Sequence, residues 1–245
     1  MSFQILGTGS ALPARSVSNE ELSGFLDTSD EWIFSRTGIK SRRVCATETL
    51  DDLAVVASRR ALEASGVDAS ELDLVICSTT TGDHLLPAQA CAVAERLGAN
   101  CAAFDVSGAC AGFVLALDVA DGFIERGRAQ RVLVVAAEQM SRVLDWSDRA
   151  TCVLFGDGAG AVLVEATEEE NVGVQNSYLR TDGIGLPFLH MKAGGSVCSP
   201  SYFTIDHRMH YLHQEGRTVF KFAVTNMSDA CALIAERNHL DKDNI

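Results

Sequence analysis

Apolar runs bounded by turn residues alternate along the chain with stretches whose apolar positions recur every three to four residues. The first pattern fits buried strands, and the second fits helices that lay one face on a sheet. Their order predicts an α/β fold of parallel strands joined by crossover helices. Thr49, three residues before Asp52, opens an amphipathic segment as a capping box would, and Gly66 stops it, so residues 49–64 read as a helix. Residues 74–78 (LVICS) read as a buried strand, 88–97 as a helix stopped by Gly98, and 101–106 as a further strand. After Ser107 and Gly108 comes the strongest helix. Phe113, Leu117, Ala120 and Ile124 share one face, Asp118, Asp121 and Glu125 fall elsewhere, and Gly127 ends it. Residues 132–136 and 161–164 read as strands, the second introduced by the glycine-rich turn FGDGAG at 155–160, and 220–237 reads as a helix.

The acidic run ATEEE after Glu165 reads as a surface connection between two halves, 1–165 and 166–245. Beyond it the alternation of strand and helix that a second sheet would need does not resume, so the C-terminal half is expected to be incomplete in this chain.

Composition narrows the function. With 47% hydrophobic and 22% charged residues and four prolines, the 245-residue chain has the make-up of a folded domain. A formal net charge of -13 argues against nucleic-acid binding, which needs a concentrated positive surface. The chief basic run, Arg36, Lys40, Arg42 and Arg43, is either a solvated face or a docking patch for an anionic ligand or carrier. Eight scattered cysteines with no C-x-x-C pair read mostly as reduced core residues of a cytoplasmic protein. MSFQILGTGSALP is not a basic leader followed by a long apolar stretch, and no segment approaches about 20 apolar residues, so no membrane association is expected.

Cys110 lies where the strand AAFDV turns through SGA into the N-terminus of an apolar helix. Unpaired backbone N–H groups and the positive end of the helix dipole favour a thiolate there. On this local feature alone, a nucleophile and a small packed cysteine both remain open.

Five ordered stretches shift the weight toward a nucleophile. They are ILGTGSALP from Ile5, DTSDEWIFSRTGI from Asp27, AFDVSGACAGF from Ala103, SDRATCVLFGDGAGA from Ser147 and GRTVFKFAV from Gly216. Through them the chain resembles the β-ketoacyl-[acyl carrier protein] synthase III family along nearly its whole length. The resemblance implies a thiolase-like five-layer αβαβα fold and a homodimer that condenses acyl-CoA with malonyl-[acyl carrier protein]. Acyl-CoA is then a substrate, and no cofactor is implied. Cys110 matches the cysteine that takes up the acyl group, releases coenzyme A and holds the acyl chain until the decarboxylated donor attacks it.

The same resemblance implies the binding residues. Trp32 and Arg149 would flank the adenine of coenzyme A, and Arg36 would approach its phosphates; an indole face opposed by a guanidinium suits a flat base. Thr28 matches a residue near the nucleotide. Phe220 and Lys221 match positions beside the entrance channel, and Arg217 stands where asparagine is frequent. Leu86 corresponds to the far end of the acyl pocket, where residue size and the dimer partner limit primer length, and leucine there suggests room for a longer or branched primer. Phe155 would line the pocket next to Cys110. Arg36, Lys40, Arg42, Arg43 and Lys221 are candidates to steer an acidic carrier.

Two patterns imitate other chemistry. FGDGAG lacks the lysine of a P-loop and the context of a dinucleotide fingerprint, and reads as a structural turn. His207, His210 and His213 are spaced by threes, which does not place all three on one helical face, and no carboxylate cluster accompanies them, so no metal site is expected. The family's decarboxylation histidine and asparagine, the first in a His-Gln-Ala-Asn segment, have no counterpart before the chain stops after LDKDNI. The expectation is acylation at Cys110 without efficient condensation by this chain alone. Two alternatives stay open. One is a complementing fragment that binds coenzyme A or a partner subunit, and the other a specialised thiolase-fold synthase of polyketide or hydroxymethylglutaryl-CoA type.

Overall fold

A computed structural model describes residues 2–241 and 243. Met1, Lys242, Asn244 and Ile245, at the two ends of the sequence-read halves, lie outside the described residues. In chain order the elements are β1 (Ser2–Ala11), β2 (Ser16–Ser18), α1 (Asn19–Ser23), α2 (Asp30–Thr37), β3 (Ser41–Arg43), α3 (Leu50–Ser65), β4 (Leu74–Ser78) and α4 (Gln89–Leu97). They continue with β5 (Ala102–Val106), α5 (Gly112–Glu125), β6 (Arg131–Gln139), β7 (Asp157–Thr167), β8 (Leu189–Met191), α6 (Tyr202–Asp206), β9 (Leu212–Gln214) and α7 (Gly216–Arg237).

Compactness does not follow the 165/166 boundary. One unit gathers the chain up to Ser16 with Arg43–Gln139 and Gly156–Gln175; the other takes Val17–Arg42, Met140–Phe155 and the chain from Asn176 onward.

The first unit is built on a five-stranded sheet in the order β1-β7-β6-β4-β5. Strands β5, β4 and β6 run parallel, as the crossover pattern predicts, but β7 runs antiparallel to both β6 and β1. The chain between β6 and β7 holds no α-helix, and without a crossover the returning strand reverses direction. The expected turn FGDGAG is another correction. Its last four residues, DGAG, are the first four of β7, because ladders on both sides hold them extended.

Strand β4 alternates cleanly across the sheet. Val75 and Cys77 join the core under α3 and α4, while Leu74 and Ile76 join the core over α5, giving three layers. From α5, Ala116, Ala120 and Ile124 are fully buried, with Phe113 and Leu117 partly so. The capping box forms at α3: Thr49 Oγ1 accepts from Asp52 N at 3.1 Å, and Thr49 N donates to the Asp52 carboxylate at 3.0 Å. Gly66 and Gly98 close α3 and α4 in the left-handed conformation, with φ of 72° and 77°.

Strand β1 shows no apolar run, because Gly7 and Gly9 occupy the positions facing α3. A Cβ on Gly7 would lie 2.2 Å from Ala61 O, and one on Gly9 2.1 Å from Ala57 O. Backbone packs directly on backbone there, which only glycine permits.

The second unit holds most of the β2–β3 pair, the β8–β9 pair and α1, α2, α6 and α7. In it, Arg42 is buried and donates to Val17 O at 3.0 Å, Asn19 Oδ1 at 2.7 Å and Val153 O at 3.2 Å. It is a structural tie, which removes it from the proposed docking patch. Helix α7 begins four residues before the sequence-read start and has no buried residue.

Candidate active site

Strand β5 delivers the chain to Ser107 and Gly108, and a single 3₁₀ turn, Ala109–Ala111, carries Cys110 to the start of α5. No side chain caps the N-terminus of α5, so its first N–H groups and the positive end of its dipole stay available beside Cys110. Ala109 holds φ at +45°, a left-handed conformation costly for a residue with a Cβ and concentrated at functional turns. The turn is also tight. A Cβ on Gly112 would meet Ser78 Oγ at 2.0 Å, and one on Gly108 would meet Gly112 Cα at 2.7 Å. Glycine at both positions lets α5 start directly over the end of β4.

Cys110 is exposed and faces a cavity of about 280 Å³ lined by Ser78, Ala109, Phe113, Ala136, Ala137, Glu138, Gly158, Ala159 and Gly160. Small residues at the ends of β6 and β7 open this space, so the glycines of FGDGAG act by omission of side chains. A larger depression of about 820 Å³, at Val119, Gly122, Phe123, Arg126 and Arg128, has no nucleophile and no converging polar set. Of these two, the cavity at Cys110 is the one that holds a nucleophile.

The lining adds residues that the sequence reading missed. Glu138 ends the apolar run VLVVAA, where a carboxylate after six small or branched residues is a usable signal. Its partners, Thr79, Thr80 and Thr81, follow β4 directly. Leu86, expected at the acyl pocket, does not line this cavity. It is 86% exposed beside Leu85, which is 95% exposed, on the loop between β4 and α4.

The nucleotide-binding candidates lie in the second unit. The Arg36 guanidinium sits 4.6 Å and that of Arg149 5.1 Å from the centre of the Trp32 ring. Arg149 Nη1 also donates to Asp27 O at 2.5 Å. Ser29 caps α2 by accepting from Trp32 N, which fixes the helix that presents Trp32 and Arg36. Thr28 Oγ1 is buried with no hydrogen-bond partner among the described residues, an atom that a polar ligand would satisfy. Arg217, Phe220 and Lys221 are exposed on the first turns of α7, and Phe155 is half-buried.

The three histidines have separate surroundings. His207 stacks on Phe203, His210 Nε2 lies 2.9 Å from Thr204 Oγ1, and His213 meets His190 edge-on. No group of three metal-ligating side chains is found among the described residues, and no described helix is long and apolar enough to cross a membrane.

Comparison with known proteins places this arrangement. A 3-oxoacyl-[acyl-carrier-protein] synthase III from Aquifex aeolicus superposes with a TM-score of 0.90 at 39% identity, over 99% of this chain and 74% of its own. A priming β-ketosynthase of a polyketide pathway superposes at 0.84 and 41% identity, over 93% of this chain and 67% of its own. The fold is thus that of the thiolase-type condensing enzymes. The family model for 3-oxoacyl-[acyl-carrier-protein (ACP)] synthase III matches residues 104–183, the stretch that includes Cys110. A β-ketoacyl-[acyl-carrier-protein] synthase III from Phocaeicola vulgatus is 50% identical over 98% of this chain and 73% of its own length. The chain belongs to the β-ketoacyl-[acyl-carrier-protein] synthase III family, whose members are acyltransferases.

Proposed function

We propose that this chain carries the acyl-loading half of fatty-acid priming, taking an acyl group from acyl-CoA onto Cys110, and that the family's condensation with malonyl-[acyl carrier protein] follows on the same cysteine. The Cys110 thiolate adds to the thioester carbonyl, and collapse of the tetrahedral intermediate expels coenzyme A as its thiolate. Loss of carbon dioxide from the malonyl group then yields a carbanion equivalent. It attacks the acyl-cysteine, forms the new carbon–carbon bond and returns the Cys110 thiolate. Acyl-CoA is a substrate, and these steps call for no redox or metal cofactor.

The observation that carries the reading is the exposed Cys110 at the uncapped start of α5, over a cavity with walls of small residues. Helix N-terminal donors stabilise a thiolate and, equally, the oxyanion of the tetrahedral intermediate. Trp32, Arg149, Arg36 and Thr28 would hold the nucleotide end of coenzyme A, and Arg217, Phe220 and Lys221 the approach to the site. Leu86 would bound the acyl pocket across a homodimer. Its exposure, and the position of β5 at the sheet edge, support a second copy there. The eight free cysteines support a reducing compartment such as the cytoplasm.

Incubation with an acyl-CoA followed by intact-mass analysis tests the central step. The parent should gain one acyl group and Cys110→Ser none. A Cys110→Ser protein still acylated at the parent's rate would refute the assignment, and loss of coenzyme A binding only on Trp32→Ala would mark a binding module instead.

A further inference from the structure

We infer that the Ser78 hydroxyl is a further catalytic group, which donates a hydrogen bond to the acyl carbonyl oxygen as the Cys110 thiolate attacks. The inference rests on the reading that Cys110 takes up the acyl group.

Ser78 is the last residue of β4 and is 3% exposed, yet it lines the Cys110 cavity. Its hydroxyl has no hydrogen-bond partner among the described residues. A buried hydroxyl left unpaired is costly, and one that opens on a cavity marks where a polar ligand atom belongs. The fold makes room for it. A Cβ on Gly112 would lie 2.0 Å from Ser78 Oγ, so glycine there lets the hydroxyl sit against the first turn of α5, directly after Cys110.

The wall itself selects the partner. Apart from Cys110, the polar side chains that line the cavity are Ser78 and Glu138. Glu138 is occupied as an acceptor: its Oε1 takes Thr80 N at 2.8 Å and Thr80 Oγ1 at 3.1 Å, and its Oε2 takes Thr81 Oγ1. A carboxylate so engaged has no proton to offer. Ser78 is therefore the side-chain donor of this wall, and a simple acyl group carries one strong acceptor, its carbonyl oxygen. A space of about 280 Å³ is smaller than a drug-sized ligand needs, so an acyl group on Cys110 lies close to every wall.

As Cys110 Sγ bonds to the carbonyl carbon, the π electron pair moves onto the oxygen. That oxygen then accepts from the Ser78 hydroxyl and from the uncapped N–H groups of α5. The pair returns when coenzyme A leaves as its thiolate, and Ser78 keeps its proton throughout. A donor already in place, with no partner to give up, needs no rearrangement as the charge forms.

The test is single-turnover acylation of the full chain by acetyl-CoA, read by intact mass, beside alkylation of Cys110 by iodoacetamide, read by peptide mapping. Alkylation displaces iodide at a saturated carbon and forms no oxyanion, so it reports on the thiol alone. Ser78→Ala should slow acylation about a hundredfold, the lower end of the loss on removing one oxyanion donor, and leave alkylation unchanged. The variant sheds an unpaired buried hydroxyl and should melt no lower than the parent. Acylation at the parent's rate overturns the proposal. So does equal slowing of both reactions, which would make Ser78 a shaper of the thiol, and so does a lower melting temperature, which would give the hydroxyl a partner within the fold. A parent that takes no acyl group although Cys110 alkylates overturns the reading of Cys110 as acceptor, and the proposal with it.

Discussion

The guanidinium carbon of Arg149 stands 5.1 Å from the centre of the Trp32 indole, too close to admit a flat base between them. Two stacking contacts of about 3.5 Å require about 7 Å between the planes. Arg149 must therefore move outward and release Asp27 O before an adenine can enter. Trp32→Ala should weaken coenzyme A binding about tenfold, the worth of one exposed stacking and cation–π contact of roughly 1–1.5 kcal/mol. Calorimetric titration of the parent and Trp32→Ala proteins with coenzyme A reads both affinities, with Trp146 kept in each. Equal affinity with and without the Trp32 ring would remove it from the site.

The contact of β1 with α3 predicts an asymmetry among glycines. Gly9→Ala forces a methyl to 2.1 Å from Ala57 O and 2.6 Å from Ala61 N, backbone atoms of a buried helix that have little room to yield. The expected cost is at or above the usual range for overpacking, about 1–3 kcal/mol. Gly122→Ala, in α5 with nothing within 4 Å of the added carbon, should instead stabilise by about 0.5–1 kcal/mol. Urea denaturation of the two variants beside the parent decides it, and a Gly9→Ala protein as stable as the parent would contradict the packing described.

Much of the fold was legible because its signals are local. Thr49 with Asp52 and Gly66 mark the ends of α3, and the unbroken apolar run LVICS marks β4 as a buried strand, without reference to distant residues. What escaped depends on residues far apart in the chain. β1 looks irregular until Gly7 and Gly9 are set against Ala61 and Ala57. DGAG looks like a turn until its ladders to β1 and β6 are known. Arg42 counted as surface charge until Val17, Asn19 and Val153 surrounded it. At the site, Cys110 stood out through its strand–turn–helix context and the motif around it. Glu138 did not, because its hydrogen-bond partners are threonines nearly sixty residues earlier.

The cysteines should divide by reactivity. Cys77 and Cys152 are buried, and burial raises both thiols, that of Cys152 to about 11. Burial, followed by the Asp157 carboxylate, pushes Cys45 up to about 12. At pH 8 these three remain thiols and should resist iodoacetamide in the native state. Cys91, Cys110 and Cys231 are exposed and should alkylate. Prior incubation with acyl-CoA should protect Cys110 alone, which peptide mapping reads. Protection at Cys91 or Cys231 in its place would move the acceptor elsewhere.

Glu48 gives the fold a defined acid sensitivity. Its carboxylate accepts from its own backbone N–H first, then from the N–H groups of Ala46, Ala14 and Thr47, which together lower it to about 2. Donors that prefer the ionised form favour folding only while the group is charged. Its contribution is therefore present above its ordinary value of 4.5 and is lost as pH falls through about 2. Glu48→Gln should be less stable than the parent at pH 6, and the difference should shrink steadily as the pH approaches 2. Urea unfolding of both proteins at pH 6, 4 and 3 measures this. A difference that stays constant, or grows toward acid, would show that the four N–H groups do not discriminate between carboxylate and carboxylic acid.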